Sequence, residues 1–237
     1  MTTSLWRAID AHADAIKRGK ILDLFAADPN RVNAFTFQAP HLTIDVSKER
    51  FDAGAKALML DLTREMDFEG WRAKMFDGLN INTTEQRAVL HTALRGAAPT
   101  AEIENEVRAV RERIDNFARA FRVGEIKGET GQTLDTIVHI GIGGSDLGPR
   151  LLTDALKPYR ARNVALRFAA NIDGAEIADA LEGLDPARTL IVIVSKTFTT
   201  LETLANAAAA RAWLRESLGK DDVGAHLLAV SAAVERA

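Results

Sequence analysis

The stretch IVHIGIGGSDLGP, residues 137–149, decides the fold of this chain. An apolar run ends in clustered glycines, which are followed by a hydroxyl and the start of a helix. Glycines let backbone N–H groups approach a ligand closely, and a helix start adds unpaired donors and the positive end of its dipole. We therefore predict an anion-binding turn after this strand, with phosphate as its natural guest.

A second turn of the same kind follows about fifty residues later. The apolar run 189–194 leads into SKTFTT, residues 195–200, and then into the helical pattern that starts at Leu201. These six residues hold one lysine and four hydroxyls, which can offer a phosphate a point charge and many neutral donors. We predict strand, polar loop and helix here.

The fold class follows from four apolar runs that alternate with helical segments: 134–142, 164–170, 189–194 and 226–231. Near-continuous Ile/Val runs between helices are typical of parallel strands covered on both faces. With right-handed crossovers, the prediction is an α/β fold, a three-layer αβα sandwich with a parallel sheet. Ligands of such sheets bind at the carboxyl ends of strands, so the site is expected where the two turns converge.

Residues 1 to about 100 read as a mostly helical N-terminal segment. One helix is predicted over 82–95, because Asn82 can cap it, Glu85 stands at the capping-box position and Gly96 can end it. Leu90 and Leu94 are then expected to face the core.

A long amphipathic helix is predicted after Pro99. Its apolar residues recur at steps of four and three, and this period is typical of one buried stripe. The stripe consists of Ile103, Val107, Val110, Ile114, Phe117 and Phe121. The opposite face is charged and is interpreted as solvated.

Composition narrows the classes of function. The chain has 237 residues, 47% of them hydrophobic, which is enough to form one or two domains. Its net charge of -3 disfavours nucleic acid and anionic membranes as partners. Cysteine is absent, which excludes disulfides and thiolate catalysis, and no two of the five histidines have helical metal-ligand spacing. The N-terminus lacks signal-peptide features and no apolar run is long enough to span a bilayer, so a cytoplasmic location is expected.

Two nucleotide-binding motifs do not match the sequence. In a dinucleotide fingerprint read from Gly141, the third glycine position is Asp146. A triphosphate loop would require glycines before Lys196, where the chain has an Ile/Val strand. No cofactor and no metal are therefore expected.

Structural interpretations remain open beside the phosphate interpretation. The glycines before Ser145 could form a tight turn with Ser145 as helix cap. Thr199 and Glu202 have the spacing of a capping box, and both roles could hold together. His139, in an apolar strand, is interpreted as a hydrogen-bonded core histidine.

The chain resembles the N-terminal part of the phosphoglucose isomerase family. Three passages carry the resemblance: NTTEQRAVLHTALR at 82–95, HIGIGGSDLGP at 139–149 and SKTFTTLET at 195–203. The family interconverts glucose 6-phosphate and fructose 6-phosphate with two sugar-isomerase (SIS-type) domains, without metal or redox cofactor. The resemblance thus implies a helical segment over 1–100 and a first SIS-type domain over 101–237, the second domain being absent from this chain.

The resemblance also implies the site residues. Gly144 and Ser145 would contact the substrate, and the loop 195–200 would hold its phosphate. The expected binding set is Gly144, Ser145, Ser195, Lys196, Thr197, Phe198, Thr199 and Thr200.

The family's proton-moving glutamate, its arginine and its ring-opening histidine have no matching positions here and are expected beyond Ala237. This chain is therefore expected to carry the phosphate-binding half of an isomerase and to be inactive alone, with homodimerisation implied for the full-length protein. The alternative is a non-catalytic phosphosugar-binding sensor module. A nucleotide-dependent oxidoreductase is a weaker alternative.

Overall fold

The computed structural model describes residues 4–237, and the chain divides into two compact units, with the boundary between Arg108 and Ala109. The first unit is mostly helical, as predicted from the sequence. Its helices are α1 Ser4–Ile16, α2 Ile21–Ala27, α3 Arg31–Ala34, α4 Ala53–Glu65 and α5 Phe68–Phe76. It also holds a hairpin that the sequence analysis did not predict, β1 Thr36–Ala39 paired antiparallel with β2 Leu42–Asp45.

A buried cation organises part of the first unit. The Arg31 guanidinium lies 4.7 Å from the ring centre of Phe35 and donates hydrogen bonds to the carbonyls of Ser47, Glu49 and Phe51. A buried guanidinium needs such partners because its desolvation is costly. Arg31 therefore fixes the segment that leads from β2 into α4.

The helix predicted over 82–95 is not formed. The Asn82 side-chain oxygen does accept the Glu85 N–H at 3.2 Å, but Gln86 takes a φ of 52° and the backbones of Asn82 and Arg87 hydrogen-bond to each other. An asparagine side chain stabilises a turn as readily as a helix start, so the cap signal led to the wrong element. Only Ala93–Arg95 is helical, as one 3-10 turn, and Leu94 is 54% exposed rather than in the core.

The second unit contains a four-stranded parallel sheet. Its strands are β3 Thr136–Ile140, β4 Ala165–Ala169, β5 Thr189–Val194 and β6 Leu227–Val230, in the order β4-β3-β5-β6. All four lie within the predicted apolar runs. The helices are α6 Ala101–Arg122, which contains the boundary between the units, α7 Gly144–Ala155, α8 Gly174–Leu181 and α9 Leu201–Leu218.

Both faces of the sheet carry apolar clusters, as the predicted α/β sandwich requires. Val138 and Ile191 are fully buried beside Ile177 of α8 and Leu214 of α9. The other face carries a smaller cluster of Phe121, Leu134 and Leu190.

The predicted buried stripe of α6 holds only in part. Phe121 is buried and Phe117 packs beside it, whereas Val110 and Ile114 are exposed, Ile114 by 61%. The period of the apolar residues marks one helix face, but burial depends on what covers that face.

Candidate functional site

The two predicted turns leave the sheet side by side. Strands β3 and β5 are parallel neighbours with Ile140 opposite Ile193, so residues 142 and 195 continue from adjacent strands at the same edge. Neighbouring strands lie about 4.8 Å apart. The chain runs from β3 to β4 on one side, and from β5 to β6 on the other side. The gap between β3 and β5 is therefore a topological switch point, where ligands of open α/β sheets bind.

Two glycines of the first turn have different structural roles. Gly143 has a φ of 58° and a ψ of -123° and precedes α7 without a side-chain cap. Gly141 is needed for close approach, because a Cβ there would lie 2.8 Å from the Ser145 carbonyl oxygen. A Cβ on Gly144, in contrast, would meet no protein atom within 4 Å. Open space therefore lies beside Gly144 at the start of α7, whereas the N–H groups of Ser145 and Asp146 are bonded to the carbonyls of Ile142 and Gly143 at 3.1 Å.

The second turn is held together by its own hydroxyls. Ser195 is buried and shares a 3.1 Å hydrogen bond with the Thr200 hydroxyl, and the hydroxyls of Thr197 and Thr199 lie 2.7 Å apart. The carbonyl of Lys196 accepts the N–H of Ala232 at 3.1 Å, which ties the loop to the segment after β6. The loop is thus preshaped by contacts within the second unit.

Phe198 differs from the other residues of this loop. Its φ of 53° is unusual for a bulky side chain, and its ring packs against the main core cluster. The packing of this side chain against the core anchors the loop.

The capping box predicted for Thr199 and Glu202 is not formed. Helix α9 begins at Leu201, so its cap position is Thr200, whose side chain makes no capping hydrogen bond and pairs with Ser195 instead. The Thr199 hydroxyl is paired with Thr197. Like α7, α9 begins without a side-chain cap. In α9 this leaves first-turn N–H groups that can serve a ligand.

His139 is a buried, hydrogen-bonded histidine, as predicted. Its Nε2 lies 2.7 Å from the Ser145 carbonyl oxygen, and its ring packs against Phe168 at 5.2 Å between centres. This contact connects strand β3 to the first turn of α7.

An ion pair at the start of α7 was not predicted from the sequence. The buried Asp146 carboxylate accepts hydrogen bonds from Arg150 Nε at 3.0 Å and Nη2 at 2.9 Å, and the guanidinium stacks 4.7 Å from the centre of the Phe168 ring. The hydrogen bond that Arg150 donates to Asp146 and the negative charge of Asp146 raise the pKa of Arg150. The spacing of four residues on one helix was the available signal.

A carboxylate at the end of β4 was also missed. Glu176 accepts the backbone N–H groups of Ala170 and Asn171 at 2.9 and 2.8 Å, and the buried Asn206 donates to the Asn171 carbonyl at 2.7 Å. These bonds use the groups that β4 leaves unpaired at its end. Glu176 and Asn206 fix the segment beside the first turn.

A cavity in the second unit is a separate feature from the two turns. It has a volume of about 590 Å³ and lies against the sheet face that bears Ile137, Leu166, Val192 and Leu228. His139 lines it, but none of the predicted binding residues does. The lining is largely apolar, which does not suit a phosphosugar.

Residues 4–237 contain neither a membrane-spanning helix nor a cluster of metal-binding side chains. Over this range, no helix combines the length and the apolar character needed to cross a bilayer. Within the same residues, no three His, Cys, Asp or Glu side chains lie together as a metal site.

Comparison with known proteins gives consistent results. The sequence model of the family described as phosphoglucose isomerase matches residues 45–237. The chain is 48% identical to the glucose-6-phosphate isomerase of Caulobacter vibrioides (strain NA1000 / CB15N) over 98% of its own length and 44% of that protein. It is 46% identical to glucose-6-phosphate isomerase 3 of Rhodococcus jostii (strain RHA1), over 97% and 43%.

A solved structure agrees with the fold. The crystal structure of a glucose-6-phosphate isomerase from Chlamydia trachomatis D/UW-3/Cx superposes with a TM-score of 0.79 and 26% identity. The match covers 97% of this chain and 44% of the other. The chain thus spans less than half the length of the relatives that it matches.

Proposed function

The chain belongs to the phosphoglucose isomerase family, and from this premise we propose that it binds a hexose 6-phosphate at the two turns that follow β3 and β5. Ser195, Lys196, Thr197 and Thr200 hold the phosphate, with Phe198 and Thr199 completing the loop. Gly144 and Ser145 contact the sugar.

One observation carries this proposal: two uncapped helix starts follow adjacent parallel strands at a switch point. Each offers the positive end of a helix dipole, and the second adds first-turn N–H groups, a lysine and hydroxyls. A dianionic phosphate matches this set of donors. The open space beside Gly144 leaves room for the rest of the substrate.

The reaction we propose for the whole protein is the interconversion of glucose 6-phosphate and fructose 6-phosphate. A base takes the proton from C2 of the open-chain aldose and returns it to C1, through an enediol. This step needs a placed base and an electrostatic partner for the enediolate oxygen. Holding the phosphate supplies remote binding energy, which aids catalysis only where the reacting centre is also built.

We propose that this chain contributes the phosphate-binding part. The groups that move the proton then belong to the part of the relatives' length that it does not span, and the chain alone is inactive. A cytoplasmic location and a homodimer of the full-length protein are part of the same proposal.

The test combines binding with turnover. The purified chain is titrated with glucose 6-phosphate and with glucose by calorimetry, and assayed for conversion of fructose 6-phosphate in a coupled assay. We expect saturable binding of the phosphosugar, much weaker binding of glucose and no turnover. Absence of phosphosugar binding would overturn the site, and turnover would show that the chain holds its own proton-moving groups.

A chimera separates the isomerase part from a sensor module. Residues 1–237 replace the corresponding part of the Caulobacter vibrioides relative, to which they are 48% identical. A phosphate-binding part of an isomerase is expected to give an active chimera, and the unmodified relative serves as the positive control. A folded chimera that binds the phosphosugar without turnover would favour the sensor.

A further inference from the structure

We propose that His139 is a positioning residue for the sugar-binding turn, because it supplies a hydrogen bond that Pro149 withholds from the Ser145 carbonyl. The proposal rests on the proposed function only in that Ser145 contacts the sugar. The Nε2 of His139 lies 2.7 Å from the Ser145 carbonyl oxygen. A carbonyl oxygen can only accept, so Nε2 carries the hydrogen of this bond.

The sequence explains why this carbonyl needs an outside donor. Inside an α-helix, each carbonyl accepts the N–H of the residue four positions later. The residue four positions after Ser145 is Pro149, which lies inside α7 and has no N–H. The carbonyl of Gly143, the cap residue before α7, accepts the Leu147 N–H four positions later at 2.8 Å in the normal way.

His139, which donates in place of the N–H that Pro149 lacks, lies in a rigid part of the fold. His139 is buried in β3, paired with Phe168 of β4 on one side and Val192 of β5 on the other. The absence of a side chain at Gly141 allows the close approach, since a Cβ there would lie 2.8 Å from the same carbonyl oxygen. The Ser145 backbone is therefore held at a fixed position relative to β3.

The position of Ser145 matters because the proposed site combines two turns. The phosphate loop continues from β5, the direct neighbour of β3. A hydrogen bond from β3 to Ser145 thus fixes the sugar-contacting turn relative to the phosphate loop. A histidine that only filled the core would be replaceable by an apolar side chain of similar size, and the test rests on this difference.

The variants separate hydrogen bonding from packing. His139→Leu keeps most of the volume and removes the donor, whereas His139→Gln keeps an N–H donor. His139→Leu combined with Pro149→Ala gives residue 149 an N–H that can serve Ser145 from within the helix. Leu166→Ala is the matched control, because Leu166 lines the same cavity as His139 and belongs to β4.

Glucose 6-phosphate binding to the 237-residue chain is the first readout. We expect H139L to weaken binding about tenfold, and H139Q and H139L/P149A to bind within about threefold of the wild type. L166A is expected to lower stability without changing affinity. Unchanged binding by folded H139L, or no recovery in H139L/P149A, would overturn the proposal.

Amide hydrogen exchange of Leu147 is the second readout and requires no ligand. We expect faster exchange in H139L than in L166A at equal global stability, with recovery in H139L/P149A. Equal exchange in H139L and L166A would overturn the proposal. If the wild type fails to bind glucose 6-phosphate, the proposed function fails, and exchange alone still decides the role of His139.

Discussion

Arg150 donates hydrogen bonds from two nitrogens to Asp146, one helical turn away, at 3.0 and 2.9 Å, and Asp146 is only 4% exposed. Asp146 lies in the first turn of α7, where a negative charge is favourable. The Arg150 guanidinium also stacks on Phe168, which packs against His139. The start of α7 is therefore fixed through its side chains as well as through the Ser145 carbonyl.

This arrangement predicts the effect of Asp146→Asn. The change leaves Arg150 without its anion and should lower the free energy of unfolding by about 1–2 kcal/mol, since Arg150 itself is partly exposed. Urea unfolding of the 237-residue chain measures it. Arg150→Lys is the control, because it keeps the charge but loses the two-point contact, and it should cost less than D146N. A D146N protein as stable as the wild type would contradict the prediction.

Lys196 should matter for binding much more than for folding. Its side chain is exposed at the predicted phosphate loop. We expect Lys196→Ala to weaken glucose 6-phosphate binding at least about tenfold, while the free energy of unfolding changes by no more than about 0.5 kcal/mol. Calorimetric titration and urea unfolding provide the two values.

The control for Lys196 is Lys157→Ala, which removes an exposed lysine of the same unit outside the predicted site. It should leave both binding and stability unchanged. Equal losses of affinity in the two variants would show that only the overall charge matters.

The strands and the two turns could be predicted because each depends on a local signal. Strands β3 and β5 are short Ile/Val runs, and the glycines and hydroxyls that follow them mark changes of backbone direction. The parallel sheet then places both turns at one edge without further information. For this reason the position of the candidate site followed from the sequence.

The two wrong cap predictions have a common physical origin: a short polar side chain can bond within a turn as readily as it can cap a helix. The Asn82 cap signal is present, but the backbone bonds between Asn82 and Arg87 close a turn instead of a helix. Likewise, the Thr199 hydroxyl shares a hydrogen bond with the Thr197 hydroxyl, and α9 begins one residue later than the capping box predicts. In each case a polar side chain had two local partners to choose from.

A buried histidine in the second unit leaves no room for a side chain at Gly128. A Cβ at Gly128 would lie 2.3 Å from Cε1 of His226, which is fully buried. The ring cannot swing away easily, because its Nε2 accepts the Glu129 N–H at 3.0 Å and its Nδ1 donates to the Thr189 carbonyl at 2.8 Å. Gly128→Ala should therefore lower the free energy of unfolding by about 1–3 kcal/mol.

Gly148→Ala is the matched control for G128A. Gly148 lies inside α7, and a Cβ there meets no atom within 4 Å. Alanine is the better helix former by about 0.5–1 kcal/mol, so this variant should be as stable as the wild type or more so. Thermal unfolding of both variants compares them directly, and a G128A protein that melts with the wild type would contradict the steric argument.

Asp52 should make the first unit sensitive to acid. Partial burial by itself raises the pKa of Asp52, but hydrogen bonds from the Ala55 N–H and from His12 outweigh it and hold the pKa below its ordinary value. A carboxyl group with a lowered folded-state pKa stabilises the fold above its unfolded pKa of about 3.9, and this stabilisation is lost as the pH falls through the lower folded value.

The variant Asp52→Asn isolates this contribution, because asparagine also caps helices well and does not titrate. We expect D52N to be less stable than the wild type at pH 6 and the two proteins to converge as the pH falls below about 4. Urea unfolding at several pH values between these limits measures the difference. A constant difference across the range would mean that Asp52 contributes through its shape as a cap and that its charge adds nothing.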